Sequence, residues 1–260
     1  VKFLLAILKD FPRYLWSGWG AIGSIFLFIA LWDAGHQYYG SLVLPAPLET
    51  FTTLLGMLQD KEIQEAIQTT LMRAGAGFGI AVVLGTLLGL LAGFFMTASM
   101  MSRPIVTILV GMPPIVWIVL AMIWFGMGDQ TVVFTVVIAS FPIVFVGSLQ
   151  GTRTLDGDLS EMARSFALPW HMKFFDLYFP HIFSYVFPAW VAALGMAWKI
   201  VIMAELLATS DGLGASLAIA RSQLDTEGAL ALVVIMIASL LFIEYVILEP
   251  IKREVELWRD

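Results

Sequence analysis

A helix needs about 20 consecutive apolar residues to cross the hydrocarbon core of a bilayer, and six stretches of this chain meet that length. Residues 14–32 run without charge from Arg13 to Asp33, and residues 74–102 run from Arg73 to Arg103. Residues 104–128 and 130–152 follow. A fifth stretch, 177–198, continues past Lys199 to about Leu207, and a sixth, 228–248, is interrupted only by Glu244. Strands of a membrane barrel would alternate polar and apolar residues over about ten positions, and these runs do not. The pattern predicts an all-α membrane protein with six transmembrane helices. Composition agrees: 60% of the residues are hydrophobic, 13% are charged and the mean hydropathy is +0.89. Ordinary soluble domains carry about twice that share of charge.

Charge placement predicts the orientation, because short cytoplasmic loops collect Lys and Arg. With the N-terminus inside, the cytoplasmic set is Lys2, Lys9, Arg13, Arg103, Arg153, Arg164, Lys173, Lys252, Arg253 and Arg259. The external set is Lys61, Arg73 and Arg221, and Lys199 falls within a span. This asymmetry predicts both termini inside and a cytoplasmic loop between the fourth and fifth spans. The first span lacks a small-residue cleavage site and is followed by five more, so it reads as an anchor. Three regions result: 1–41 with the first transmembrane helix, 42–70 as an external loop, and 71–260 as a core of five helices with a cytoplasmic loop at 151–180. In the external loop, Leu48, Phe51, Leu54, Leu55 and Leu58 share one helical face behind Pro45 and Pro47, which predicts a helix lying on the membrane surface.

Several chemistries are excluded or left without support. The chain has no Cys, which rules out disulfides, thiolate metal sites and cysteine nucleophiles. His36, His171 and His181 fall into no metal-ligand spacing, and no Lys/Arg cluster suggests nucleic acid. A G-x-x-x-x-G-K-[ST] phosphate loop is also missing. The serines have no His at a spacing that suggests a hydrolase. An ion-driven secondary transporter is the competing class, and it would show inverted repeats and intramembrane acids. No internal repeat is visible, and only Glu205 and Glu244 lie near span ends.

Within the spans, Gly77, Ala81, Gly85, Gly89 and Gly93 recur every four residues. Small residues at that interval form a groove that a neighbouring helix can enter closely, either as plain packing or beside a path. Pro113-Pro114 removes two backbone donors from the third span. The result is a kink alone, or a locally opened backbone that lines a solute path. Lys199 is the one cation deep in a span, where charge is costly unless hydrated or paired. It serves either as a structural partner for another helix or as a positive group on a watery path. Glu205, six residues on, lies about 240° round the helix, so the two do not pair within it.

The loop 151–181 reads GTRTLDGDLSEMARSFALPWHMKFFDLYFPH. Asp158 and Glu161 have the D-x-x-E spacing of a helix start, Pro169 ends the short helix that could follow, and Pro180 marks the entry to the fifth span. On pattern alone this is a connecting loop or a short lever between two spans. The segment resembles the cytoplasmic signature of ABC-importer permeases, E-A-A, three residues, G, nine residues, I-x-L-P. Glu161, Ala163 and Pro180 match outright. Met162, Ala167, Leu177 and Phe179 stand at its second Ala, Gly, Ile and Leu positions.

The similarity extends from Leu42 to Trp258. LVLPAPLETF, GMPPIVWIVLAMIWFGMGD (111–129) and ALGMAWKIVIMAELLATSDGLG (193–214) resemble, in order, segments of the nitrate/sulfonate/taurine-type branch. Lys199 departs from it, because the position after Trp198 is often apolar there. The resemblance implies a type I ABC-importer permease fold with a coupling helix built around Asp158, Glu161, Met162, Ala163, Arg164, Ala167, Leu168 and Pro180. It implies two cytoplasmic ATPase subunits that carry ATP and magnesium, with no cofactor on this chain, together with an external solute-binding protein and a second permease copy. The expected location is a bacterial-type inner membrane, and the expected solute is a small polar or anionic nutrient such as nitrate, a sulfonate, taurine or bicarbonate. The candidate path residues are Met112, Pro113, Pro114, Trp117, Met196, Lys199 and Glu205.

Overall fold

The computed structural model describes residues 23–154, 161, 165–166 and 168–244. Among them every regular element is helical. Residues 23–39 form α1, Pro47–Met57 α2, Lys61–Phe94 α3, Met96–Gly111 α4 and Pro114–Phe125 α5. Asp129–Arg153 forms α6, Phe179–Ala208 α7, Leu213–Ser222 α8 and Thr226–Phe242 α9. A π-wound turn, Lys173–Tyr178, leads into α7. Three helical stretches here are long and apolar enough to cross a membrane: Lys61–Phe94, Asp129–Arg153 and Trp170–Ala208. The pair α4 and α5 makes a fourth if its bend is counted within one span. α9 is apolar but shorter, and part of the first expected span lies outside the described residues.

Two boundaries differ from the sequence expectation. The second apolar run was expected to form one span over 74–102. Instead α3 starts at Lys61, where the Asp60 side chain accepts the Glu62 N–H at 3.0 Å, and ends at Phe94. Phe95 is extended and α4 begins at Met96. Hydropathy alone cannot show such a break, because Phe95 and its neighbours are as apolar as a continuous span would be. At Pro113-Pro114 the expected disruption is large: α4 and α5 meet at 97°. Met112 is extended, the conformation that a following proline imposes, and Pro114 opens α5 where its missing N–H costs nothing.

The core is built on α6, which packs along both α3 and α7. The small-residue stripe of α3 lies in that contact. A Cβ added at Gly77 would stand 2.6 Å from Val136, one at Gly85 2.8 Å from Val144, and one at Gly89 2.5 Å from the Phe145 carbonyl oxygen. Gly93 meets Thr152 in the same way, and Ala81 is fully buried. In lipid no hydrophobic effect drives helices together, so this close approach and its dispersion contacts supply the attraction. The opposite face of α6 repeats the device, with Gly147 against Ala189 and Gly151 against Ile182 of α7. The buried hydroxyls of Thr135 and Ser148 donate to carbonyls four residues back, which removes their desolvation penalty.

Outside this core, α2 packs on α9. Its Thr53 hydroxyl donates to Glu227, and the α9 N-terminus is capped by Asp225, which accepts the Gly228 N–H at 2.9 Å. α8 fits between α7 and α9.

Candidate functional site

Three neighbouring cavities line the face where α4, α5, α6, α7 and α9 meet. The smallest, about 110 Å³, is walled by Met112, Pro114, Trp117 and Met196 with Pro142 and Ile143. Four of the path residues expected from sequence therefore share one wall. Pro113 is exposed at the turn beside them. The indole N–H of Trp117 is shielded from solvent and has no hydrogen-bond partner among the described residues.

Ile143 and Met196 also line a second cavity of about 330 Å³, whose wall includes Gly195, Lys199 and Glu244. Lys199 is exposed there, and no described carboxylate lies within 4.0 Å of its ammonium. Its neighbour Trp198 is committed elsewhere, donating its N–H to the Met236 carbonyl at 3.2 Å. The third cavity, about 480 Å³, shares Ile143 and Pro142 and extends the row past Gly147 and Gln150 to Tyr185. Pro114, Pro142, Pro188 and Gly195 line these spaces. Such residues leave room that a regular Leu-rich helix would fill.

Glu205 lines none of these cavities. It is completely buried at the far end of α7, with one carboxylate oxygen accepting Arg73 Nη1 at 3.0 Å. The other oxygen accepts the Thr70 hydroxyl at 2.8 Å and the Gly214 N–H at 3.1 Å. Arg73 also donates from Nε to Asp129 at 2.7 Å and from Nη2 to Asp211 at 2.8 Å, and its Nη1 reaches the Asp211 carbonyl at 2.9 Å. Thr70 in turn accepts the Leu213 N–H at 2.9 Å. One guanidinium thus ties α3 to the start of α6, the end of α7 and the loop before α8. Gly212 sits at φ +98, and a Cβ there would collide with the Glu205 carboxylate, so this tight turn favours glycine.

Sequence reading missed this cluster. It treated Arg73 as a boundary charge on the external side, whereas the side chain is 6% exposed. The partners lie 56, 132 and 138 residues away, so no local periodicity could announce them. The usable signal was positional: Arg73, Asp129 and Asp211 each stand beside the end of an apolar run.

Of the coupling residues, Asp158, Met162, Ala163, Arg164 and Ala167 lie outside the described residues. Glu161 is exposed, and its carbonyl accepts the Ser165 hydroxyl at 3.0 Å. Leu168 is half-buried, and Pro180 stands in the first turn of α7. The ends of the loop are held near each other by Thr154 and His181, whose Oγ1 and Nε2 are 3.2 Å apart.

The comparisons with known proteins bear on this arrangement. Residues 81–253, more than half of the chain, match the family model described as a binding-protein-dependent transport system inner membrane component. A putative aliphatic sulfonates transport permease of Bacillus subtilis is 27% identical over 209 residues, covering 80% of this chain and 76% of that one. The taurine transport system permease of Escherichia coli is 25% identical over 245 residues, covering 92% and 89%. A nitrate import permease of Synechocystis is 26% identical over 233 residues, covering 86% and 84%. Among solved structures, an amino acid ABC transporter crystallised with histidines aligns with a TM-score of 0.59 at 19% identity, over 80% of this chain and 96% of that one, a likeness of fold. The chain belongs to the binding-protein-dependent inner-membrane permeases of ABC transporters, in the branch that holds the nitrate, sulfonate and taurine permeases.

Proposed function

We propose that this chain is the membrane-spanning subunit of an ATP-driven importer for a small anionic or polar solute, and that the cavities around Met196 and Lys199 are its share of the solute path. The observation that carries the path is Lys199: a cation on an apolar helix, unpaired among the described residues, on the wall of a cavity next to that of Met112, Pro114 and Trp117. An intramembrane charge is retained at a cost that function explains best. The Lys199 ammonium and the Trp117 N–H both offer donors to an oxyanion. The named solutes of the relatives, aliphatic sulfonates, taurine and nitrate, are small oxyanions or carry an oxyanion group.

In this reading two copies of the permease face each other across the path in a bacterial-type inner membrane, with both termini in the cytoplasm. A soluble binding protein delivers the solute from outside. Two cytoplasmic ATPase subunits bind ATP and magnesium and press on the loop around Glu161. The lever reaches the core through α6 and α7, whose ends flank that loop. Closure of the ATPases on ATP then shifts α7 against α6 and turns the cavity outward, a displacement of packed helices between two stable arrangements.

The test is uptake by Lys199→Met. The reading expects a raised KM or no uptake while basal ATPase activity and expression persist, with partial function in Lys199→Arg. Unchanged uptake kinetics in Lys199→Met would remove this residue from the path.

A further inference from the structure

The elbow between α3 and α4 stands one bilayer thickness from the Arg73 cluster. Asp129 and Asp211, both mostly exposed, hold that cluster at the water boundary. Phe94 follows Arg73 by 21 positions, about 32 Å of helix against a hydrocarbon core of about 30 Å. On α6, Arg153 follows Asp129 by 24 positions, or about 36 Å. A direct contact joins the two far ends, since Arg153 Nη2 donates to Met96 Sδ at 3.4 Å. Both ends therefore reach the level of the lipid headgroups on the opposite face of the membrane.

At this elbow Phe94, Phe95, Met96, Met100 and Met101 are each 60–69% exposed, so the chain leaves an apolar surface uncovered. Arg103, about two turns along α4, is exposed and is the only charged residue between Arg73 and Asp129. Neither Arg103 nor Arg153 has a carboxylate within 4.0 Å among the described residues. Long cationic side chains at this depth lay their stems on apolar surface and extend their charge to the headgroups. We propose that the elbow holds an anionic phospholipid, its phosphate at Arg103 and Arg153 and an acyl chain along the Phe and Met side chains. A guanidinium meets phosphate oxygens through paired N–H donors, and α4 carries no acid to repel a negative headgroup. A zwitterionic lipid offers the same acyl chain but brings its own cation toward the two arginines. Charge thus supplies the preference and the apolar surface the retention. An ATPase docking face is the competing occupant, and depth disfavours it, because Phe95 lies at the edge of the hydrocarbon core rather than beyond the headgroups.

Native mass spectrometry of the permease with its ATPase, released from nanodiscs holding equal amounts of phosphatidylglycerol and phosphatidylethanolamine, counts which lipid stays bound. Wild type is expected to retain phosphatidylglycerol in preference by about tenfold or more, two arginines each attracting the anionic headgroup. Replacing both by Arg103→Gln and Arg153→Gln is expected to remove that preference, and replacing both by Lys to keep most of it. Lys61→Gln, at the other end of α3, is expected to leave it intact. Equal retention of the two lipids by wild type overturns the assignment, as does a preference unaltered by the Gln pair or lost equally with the Lys pair. Phosphatidylglycerol that stays on the permease alone but leaves when the ATPase binds also overturns it, and makes the elbow a protein interface.

Discussion

Arg73 and Glu205, 132 positions apart in the chain, meet as a 3.0 Å ion pair in which the arginine is 6% exposed and the glutamate not at all. Asp129 and Asp211 complete the arginine's shell from the surface, at 74% and 62% exposure. The difference in burial separates the roles of the three acids. Loss of Arg73 leaves a buried carboxylate with only Thr70 and the Gly214 N–H as partners.

Arg73→Met is therefore expected to cost about 3–5 kcal/mol, the usual penalty for stranding a buried charge. Asp129→Asn is expected to cost at most about 1 kcal/mol, because water replaces an exposed partner. Pairing Arg73→Met with Glu205→Gln should recover part of the loss. Thermal unfolding of the purified permease in detergent gives the order of the three variants.

The α3 stripe makes a packing prediction with an internal control. Gly85→Leu is expected to destabilise the protein by about 1–3 kcal/mol or more, since Val144 already occupies the space of its Cβ. Gly79 belongs to the same helix but faces open space, where a Cβ would meet nothing within 4 Å. Gly79→Leu is expected to express and melt like wild type. Equal damage from both substitutions would remove α6 as the reason for the stripe.

These two predictions also mark how far the sequence could be read. The four-residue spacing from Gly77 to Gly93 announced a close helix contact, and the structure supplies its partner, α6. Pro113-Pro114 announced a disruption but not its size of 97°. The path candidates Met112, Pro114, Trp117 and Met196 come together in one cavity wall because α5 turns back against α6 and α7. Glu205 does not join them. Its partners come from three distant segments, and long-range hydrogen bonding leaves no trace in local hydropathy. The break at Phe95 was equally silent, since nothing in its side chain distinguishes an extended residue from a helical one within an apolar run.

The sidedness expected from charge counting is open to chemical test, because the chain has no native Cys to remove. Cysteines placed at Asp156 and Ser210 should label from the cytoplasmic and the external side respectively. Labelling of the Asp156 site from outside in intact cells would reverse the orientation.

Glu161→Lys reverses a charge on an exposed residue of the expected coupling loop. It is expected to abolish uptake and ATPase stimulation while the permease still inserts and folds. Lys61→Ala, an exposed change at the start of α3, should leave transport unaltered. Wild-type uptake by Glu161→Lys would detach this loop from the ATPase.

The most direct measurement is uptake into proteoliposomes that contain this permease with the ATPase it copurifies with and the soluble binding protein of the same system. The account predicts that solute accumulates only when ATP and magnesium reach the cytoplasmic face, that collapse of proton and sodium gradients leaves the rate unchanged, and that Glu161→Lys stops it. Accumulation driven by an ion gradient in the absence of ATP would contradict the account and return the chain to the class of secondary transporters.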